Sequence, residues 1–190
     1  MAGRRDRPPR MTIPNLITLG RLVLVPFVIA MIGQGAWALA FAGFALAGLS
    51  DAVDGYVARR FNMKSELGAY LDALADKALL VSIFVALAVV GAVPAWLAIV
   101  IVSRDVMVLG AILLAWLLDR RMAIRPLLIG KLNTALQIVF AGGLLGLRAF
   151  GAPPHPAETL AAILVAALAA ASVLVYGLLW MRHMSREEAP

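Results

Sequence analysis

Residues 51–76 read DAVDGYVARRFNMKSELGAYLDALAD and place four aspartates between two long apolar runs. Asp51 and Asp54 are three residues apart, and Asp72 and Asp76 are four apart, so each pair shares one face of its own helix. A carboxylate in a hydrocarbon environment is costly unless cations or hydrogen bonds compensate it. These four residues are therefore candidates for function.

The polar segment 59–66 predicts a turn that folds the two helices into an antiparallel hairpin. Residues 51–54 then lie opposite residues 72–75, about 12 Å from the turn at 1.5 Å per residue, and the four carboxylates converge. Such a cluster needs a counter-charge, and Mg²⁺ and Mn²⁺ prefer oxygen ligands while keeping positions open for phosphate. Small residues that leave bare backbone, and an arginine that suits phosphate, stand beside this point: Gly55, Ala58, Gly68 and Arg59. The pattern predicts a metal-bridged polyphosphate site at a membrane interface.

The same residues also allow a purely structural explanation. The aspartates would form buried ion pairs with Arg59, Lys77 and Arg104, and Gly55 and Gly68 would serve helix packing, in which small residues are common. We favour the metal site because four acids exceed what packing needs.

The composition is that of an integral membrane protein. Of the 190 residues, 63% are hydrophobic and 15% are charged, with a mean hydropathy of +0.92, whereas soluble domains are about half apolar and a quarter charged. The absence of cysteine excludes a disulfide framework and thiolate chemistry. The net charge of +6 lies beside apolar segments, which favours membrane lipid headgroups over nucleic acid as partners.

Six apolar segments are long enough to cross a bilayer, which takes about 20 residues each. They lie near residues 14–33, 37–58, 66–90, 94–118, 127–148 and 158–181. The predicted fold class is an all-α integral membrane protein with six transmembrane helices.

Basic residues cluster in the two chain termini and in segments 59–64 and 119–125, which places both termini and the acidic hairpin in the cytoplasm. The active site would then face the cytoplasm at the membrane interface. We expect a multi-pass protein of a bacterial inner membrane in three parts: a basic juxtamembrane segment at 1–13, a six-helix domain at 14–182 and a tail at 183–190.

Other polar residues lie in the fourth and fifth segments. Arg104 and Asp105 lie in mid-span, where pairing with each other or with the acidic hairpin is expected. Lys131 opens the fifth segment and forms a cationic patch with Arg125 that suits a phosphate. For Arg125, a simple role in orienting the protein is favoured over a place in this patch.

The acidic stretch resembles the signature of the CDP-alcohol phosphatidyltransferases, D-x2-D-G-x2-A-R-x8-G-x3-D-x3-D. It matches at every fixed position: Asp51, Asp54, Gly55, Ala58, Arg59, Gly68, Asp72 and Asp76. The resemblance implies that the first three aspartates bind a pair of divalent metal ions and that Asp76 is the general base. The spacing itself leaves Asp76 as a ligand or a base.

The resemblance implies transfer of a phosphatidyl group from CDP-diacylglycerol to an alcohol, with release of CMP, by a homodimer. Gly55, Ala58 and Gly68 would border the nucleotide. The first span carries Asn15, Thr18 and Arg21 in the N-x-x-T-x-x-R run that is frequent in the family, which implies a role in lining the donor pocket. A helix cap and a snorkelling arginine are the alternative.

The acceptor is predicted from two short segments, SRDVM around Arg104 and GKLNT around Lys131, in which both residues would bind the acceptor. They look like those of cardiolipin synthases, which use phosphatidylglycerol. Phosphatidylglycerophosphate synthases, which use glycerol 3-phosphate, more often have Arg-Glu in place of Arg-Asp. Phosphatidylglycerol is therefore the first expectation and glycerol 3-phosphate the second, ahead of inositol phosphate or serine. A small cation or proton transporter is an alternative of another class, disfavoured because the acids lie toward one interface and no repeat is evident.

Overall fold

The structure is a computed structural model that describes the backbone of residues 13–60, 66–117 and 128–187, and the side chains of residues 20, 22–53, 77–110 and 128–178. Within these ranges the chain forms six α-helices. The helices are α1 (Ile13–Gly33), α2 (Trp37–Arg60), α3 (Glu66–Val89), α4 (Ala95–Leu117), α5 (Leu128–Ala149) and α6 (Pro156–Glu187). The all-α class is confirmed.

The first five helices begin and end within two residues of the predicted segments. The last helix differs, because α6 begins at Pro156 and continues to Glu187, into the predicted tail. Proline fits the first turn of a helix, where its missing N–H is not needed. The hydropathy of the segment falls after Met181, but no glycine or proline follows until Pro190, so nothing in residues 182–187 ends the helix.

Three short turns join consecutive helices at one end of the bundle, which we call the turn end. Each contains a glycine with a positive φ: Gly35 (70°), Gly91 (73°) and Gly151 (73°). Glycine adopts this left-handed conformation at the C-terminus of a helix without the steric penalty of a side chain. We call the opposite end, where α2 ends and α3 begins, the basic end.

The helices contact one another in a ring. The order is α2, α1, α3, α4, α6, α5 and back to α2, and α3 also contacts α5 across the ring. Phe84 of α3 and Phe140 of α5 stack across the ring with centroids 6.1 Å apart and planes 3° apart. This contact divides the ring into an α1–α2 half, closed by α3 and α5, and an α4–α6 half, closed by the same two helices.

Toward the turn end the interior is tightly packed and apolar. Its large, fully buried apolar side chains are Val28, Ile32, Ile83, Phe84, Leu87, Leu97, Ile101, Leu145 and Val165. The outer surface is apolar as well, since large hydrophobic side chains are exposed on every helix, among them Val23, Leu49, Val89, Ile99, Val139 and Leu164. Large exposed apolar surfaces are uncommon on soluble monomeric proteins.

Two helical segments in the described residues are long and apolar enough to cross a bilayer, Leu128–Ala149 and Pro156–Leu178. Shorter apolar helical stretches occur at Leu22–Gly33, Trp37–Val53 and Lys77–Val89. The prediction of six helices is thus confirmed, and the crossing criterion is met by two of them within the part of the chain that is described.

Gly43 provides a test of the packing of α1 against α2. A Cβ atom at this position would lie 2.9 Å from Cγ2 of Val28, so Gly43→Val is expected to lower the free energy of unfolding by about 1–3 kcal/mol through overpacking. The thermal unfolding midpoint of the detergent-solubilised protein measures this change. Gly48→Val on the same helix is the control, because a Cβ there meets nothing within 4 Å. Equal losses at both positions would contradict the close contact.

Candidate functional site

The helix bounds place the four aspartates on two helices, as the sequence predicts. Asp51 and Asp54 lie on α2, and Asp72 and Asp76 lie on α3. The Asp51 side chain is partly buried, whereas the other three side chains lie outside the described residues. Helix α1 contacts both α2 and α3. The convergence of the four carboxylates stays a prediction.

The other predicted donor-site residues also have side chains outside the described residues. They are on described helices: Asn15, Thr18, Arg21, Gly55, Ala58, Arg59 and Gly68. Arg125 lies outside the described backbone. The roles assigned to these residues therefore remain predictions.

A buried cluster of charges ties α3 to α4. Arg104 and Asp105 of α4 are only 4% and 3% exposed. Arg104 Nη1 donates a hydrogen bond to Asp105 Oδ1 at 2.5 Å, and Lys77 Nζ of α3 donates to the same oxygen at 2.7 Å. The expected pairing of Arg104 and Asp105 with each other is confirmed, and Asp105 also pairs with Lys77, the residue directly after the acidic stretch. We call Lys77, Arg104 and Asp105 the charged cluster.

The charged cluster carries a net positive charge, because two cations share one carboxylate. Removing an ion from water costs several kcal/mol, which pairing offsets only if the geometry is good. Lys77 is the residue directly after Asp76, and its side chain is 27% exposed. A cationic cluster next to the acidic signature provides favourable surroundings for an anionic ligand.

Helices α5 and α6 complete the surroundings of Arg104. Its Nη2 donates to Ser172 Oγ of α6 at 3.2 Å, and Ser172 is fully buried. Gly130 of α5 lies against the same group, because a Cβ there would be 3.0 Å from the Tyr176 hydroxyl and 3.4 Å from Arg104 Nη2. The missing side chain of Gly130 therefore lets α5 approach the cluster closely.

The charged cluster and the acidic residues lie between about 14 and 26 Å from the turn end, counted along their helices. Counted along the helices from the turn end at 1.5 Å per residue, Lys77 is about 18 Å deep, Arg104 about 14 Å and Ser172 about 24 Å. The same count gives about 20 Å for Asp76 and about 21 Å for Asp51. We call this level the polar layer. It lies on the basic-end side of the apolar core.

Two buried amides on α5 were missed in the sequence. Asn133 and Gln137 are both 0% exposed, and neither amide has a hydrogen-bond partner among the residues that the structure describes. The same holds for Nε of Arg104 and Oδ2 of Asp105. The signal was available, since LNTALQ places two amides four residues apart, on one helix face, in an otherwise apolar segment.

Lys131 lies in the first turns of α5, as predicted, and its side chain is exposed. Within the described side chains it makes no hydrogen bond or ion pair with the charged cluster. Its proposed patch with Arg125 stays untested, because Arg125 lies outside the described backbone.

The predicted metal site fits a hard divalent ion by the chemistry of its donors, since all four residues are carboxylates. Among the described side chains no group of three or more acidic, histidine or cysteine residues occurs. Three of the four predicted ligands lie outside that set. The fit therefore rests on the identity and helix positions of these residues.

A second polar contact lies at the turn end. Arg148 of α5 forms an ion pair with Glu158 of α6 at 2.6 Å, beside an open cleft that Trp37 and His155 also line. The apolar core separates this cleft from the polar layer. The ion pair fastens the α5–α6 turn, since Arg148 also donates to the carbonyl of Ala152 at 3.2 Å.

Comparison with known proteins gives a consistent result. A model of the CDP-alcohol phosphatidyltransferase family matches residues 11–181. The chain is 34% identical to a probable cardiolipin synthase (CMP-forming) of Drosophila melanogaster over 81% of this chain and 53% of that protein. It is 34% identical to a probable phosphatidylglycerophosphate synthase of Mycobacterium tuberculosis over 92% of this chain and 82% of that protein.

A third relative is the CDP-diacylglycerol–glycerol-3-phosphate 3-phosphatidyltransferase of Bacillus subtilis, 34% identical over 70% of this chain and 76% of that protein. The chain spans about half the length of its cardiolipin synthase relatives from Drosophila melanogaster, Rattus norvegicus and Homo sapiens. The names of the relatives thus include both enzyme classes that the sequence resembles, cardiolipin synthase and phosphatidylglycerophosphate synthase.

Asp105→Asn tests whether the charged cluster is a structural requirement. The change leaves Lys77 and Arg104 without their shared carboxylate, so the free energy of unfolding is expected to fall by about 3–5 kcal/mol. Ser103→Ala, at an exposed neighbouring position of α4, is the control and should change it little. Thermal unfolding of both variants measures the difference, and an unchanged midpoint in Asp105→Asn would contradict this role.

Proposed function

Because the chain belongs to the CDP-alcohol phosphatidyltransferase family, we propose that it transfers a phosphatidyl group from CDP-diacylglycerol to an alcohol and releases CMP. The observation that carries this proposal is the complete signature on α2 and α3, next to a buried cluster of net positive charge on α3 and α4. The reaction needs both features, because its substrates are anionic and its leaving group carries negative charge.

The donor would lie against the α1–α2 half of the ring. Asp51, Asp54 and Asp72, with Asp76 as a further candidate, would hold two Mg²⁺ or Mn²⁺ ions. When bound, these ions supply the positive charge that neutralises the diphosphate of the donor. Small residues would leave room for the nucleotide, and polar residues would line its pocket: Gly55, Ala58, Gly68, Arg59, Asn15, Thr18 and Arg21.

The transfer is a displacement at phosphorus. Asp76 takes the proton of the acceptor hydroxyl, and the hydroxyl oxygen attacks the β-phosphorus of CDP-diacylglycerol, the one that carries the diacylglycerol. The new P–O bond forms as the bond from this phosphorus to the bridging oxygen breaks. The electron pair of the broken bond leaves on CMP. Asp76 is suited to this because it stands one helical turn beyond the ligand Asp72.

The acceptor we propose is phosphatidylglycerol, which makes the protein a cardiolipin synthase, and glycerol 3-phosphate is the second candidate. Relatives of both names support this pair. Both acceptors carry a phosphate, and the net positive charge of the charged cluster, together with Lys131 and Arg125 at the basic end, suits it. Arg104 already bonds Asp105 and Ser172, so its Nε is the group left for a ligand among its described contacts.

We also propose that all six helices cross the membrane with the basic end in the cytoplasm. The large apolar side chains exposed on every helix support the crossing, and the basic residues of the termini and of segments 59–64 and 119–125 support the orientation. A bacterial inner membrane and a homodimer are part of the proposal, the dimer on the family resemblance alone.

CMP release by the purified protein tests the proposal. The protein is reconstituted with CDP-diacylglycerol and Mg²⁺, and either phosphatidylglycerol or glycerol 3-phosphate is the sole acceptor. CMP release with phosphatidylglycerol, abolished by a chelator, is the expected result. Release with glycerol 3-phosphate alone would select the second candidate, and release with neither would contradict the proposed function.

Asp76→Asn tests the role of this residue as the base. The amide keeps the shape of the side chain but cannot accept the proton, so kcat is expected to fall by roughly 10²–10⁴-fold while the Kd for CDP-diacylglycerol stays close to that of the unmodified protein. Asp6→Asn, outside the predicted site, is the control. Loss of donor affinity instead would make Asp76 chiefly a metal ligand.

A further inference from the structure

The two buried amides of α5 lack partners that buried amides ordinarily have. Asn133 and Gln137 are fully buried, and within the described part of the chain all four of their side-chain oxygen and nitrogen atoms make no hydrogen bond. The large majority of buried polar side-chain atoms in proteins are hydrogen-bonded, and leaving one unpaired costs its full desolvation penalty. Something other than the described protein atoms therefore satisfies them.

Contacts above and below the amides show which region they face. Gly130, three residues before Asn133 and on the same helix face, lies against Arg104 and Tyr176. Phe140, three residues after Gln137, stacks on Phe84 of α3. The amides lie between these two contacts and therefore face the interior of the α4–α6 half, toward the charged cluster.

The depth of the amides agrees with this placement. Counted from the turn end of α5, Gln137 is about 18 Å deep and Asn133 about 24 Å. These are the depths of Lys77 and Ser172 in the polar layer. The Phe84–Phe140 stack closes the region on the side of the apolar core.

The unpartnered atoms around this region both donate and accept hydrogen bonds. Each amide offers an acceptor oxygen and a donor nitrogen, and the charged cluster adds a donor, Arg104 Nε, and an acceptor, Asp105 Oδ2. A phosphate needs donors alone, and an acyl chain needs neither. A hydroxyl donates and accepts at the same atom, so the set suits a ligand with several hydroxyls.

We propose that Asn133 and Gln137 bind the hydroxyls of the acceptor, and that their ligand is the vicinal diol of a phosphoglycerol group. One hydroxyl of the diol is the attacking group, and the amides hold its neighbour, while the charged cluster faces the phosphate of the same group. This inference rests on the proposed function. The diol is common to phosphatidylglycerol and glycerol 3-phosphate, so either source satisfies the same contacts.

Acceptors without the second hydroxyl test the inference in the unmodified protein. The matched pairs are glycerol 3-phosphate with 3-hydroxypropyl phosphate, and phosphatidylglycerol with phosphatidyl-1,3-propanediol. In the pair that contains the true acceptor, we expect kcat/KM to be at least about tenfold higher for the diol than for its analogue. The reason is that a site built to bond a hydroxyl rejects the analogue that lacks it. If kcat/KM for the diol divided by kcat/KM for its analogue is near one in that pair, the inference is overturned without any variant.

Gln137→Met and Asn133→Leu test whether these two residues produce the preference for the diol over its analogue. Each replaces an amide by an apolar side chain of similar size, so the fold should tolerate it, as thermal unfolding will show. We expect the ratio to fall to within about threefold of one through a higher KM for the diol, with the KM for CDP-diacylglycerol unchanged. Thr134→Val is the matched control and should keep the ratio, because the Thr134 hydroxyl already bonds the carbonyl of Gly130 at 3.2 Å in its own helix.

The outcomes separate the two proposals. CMP release by the unmodified protein, with the same ratio in both amide variants, overturns the hydroxyl site and leaves the proposed function intact; the amides would then bind water only. Release with neither acceptor overturns the proposed function, and the inference with it. The acceptor pair with the larger ratio of kcat/KM values identifies whether the diol belongs to phosphatidylglycerol or to glycerol 3-phosphate.

Discussion

The carboxylate of Asp105 is the constraint on which the bundle interior depends. It is buried on α4 and accepts hydrogen bonds from its neighbour Arg104 and from Lys77 of α3. Arg104 in turn bonds Ser172 of α6 and lies against Gly130 of α5. The Asp105 carboxylate and its partner Arg104 thus link four helices, α3, α4, α5 and α6. A charge in such a place is costly unless paired, so loss of either partner of Asp105 would destabilise the arrangement.

The ring arrangement separates two tasks while α3 takes part in both. Asp72 and Asp76 belong to the signature that, in our proposal, binds the donor with α1 and α2. Lys77, the next residue, belongs to the charged cluster that faces α4, α5 and α6. The stack of Phe84 on Phe140 and the apolar core confine polar chemistry to the basic-end side. Donor and acceptor would therefore meet at one level of one helix.

The sequence predicts the helices well and their neighbours poorly, for one physical reason. Apolar run length sets the helix bounds, but here both the buried and the exposed positions are apolar, as Leu87 and Val89 show. Hydropathy then does not show which face of each helix is buried, so the ring order and the α3–α5 contact could not be derived from the sequence. Rare charges were predictable, because Arg104 and Asp105 must pair in an apolar segment. Asn133 and Gln137 were missed because a buried amide can bond many kinds of donor and acceptor, so the sequence does not indicate a specific partner as it does for a charge.

The position of a bound metal ion tests the central claim most directly, namely that the reaction takes place in the polar layer. The chain has no cysteine, so a single nitroxide label can be attached at Leu132→Cys or Val89→Cys, both at exposed positions, and its distance to bound Mn²⁺ measured by electron paramagnetic resonance. The account predicts a Mn²⁺ ion at the level of Leu132 and displaced by about 20 Å along α3 from Val89. A Mn²⁺ ion nearer to Val89, or at equal distances from both labels, would contradict it.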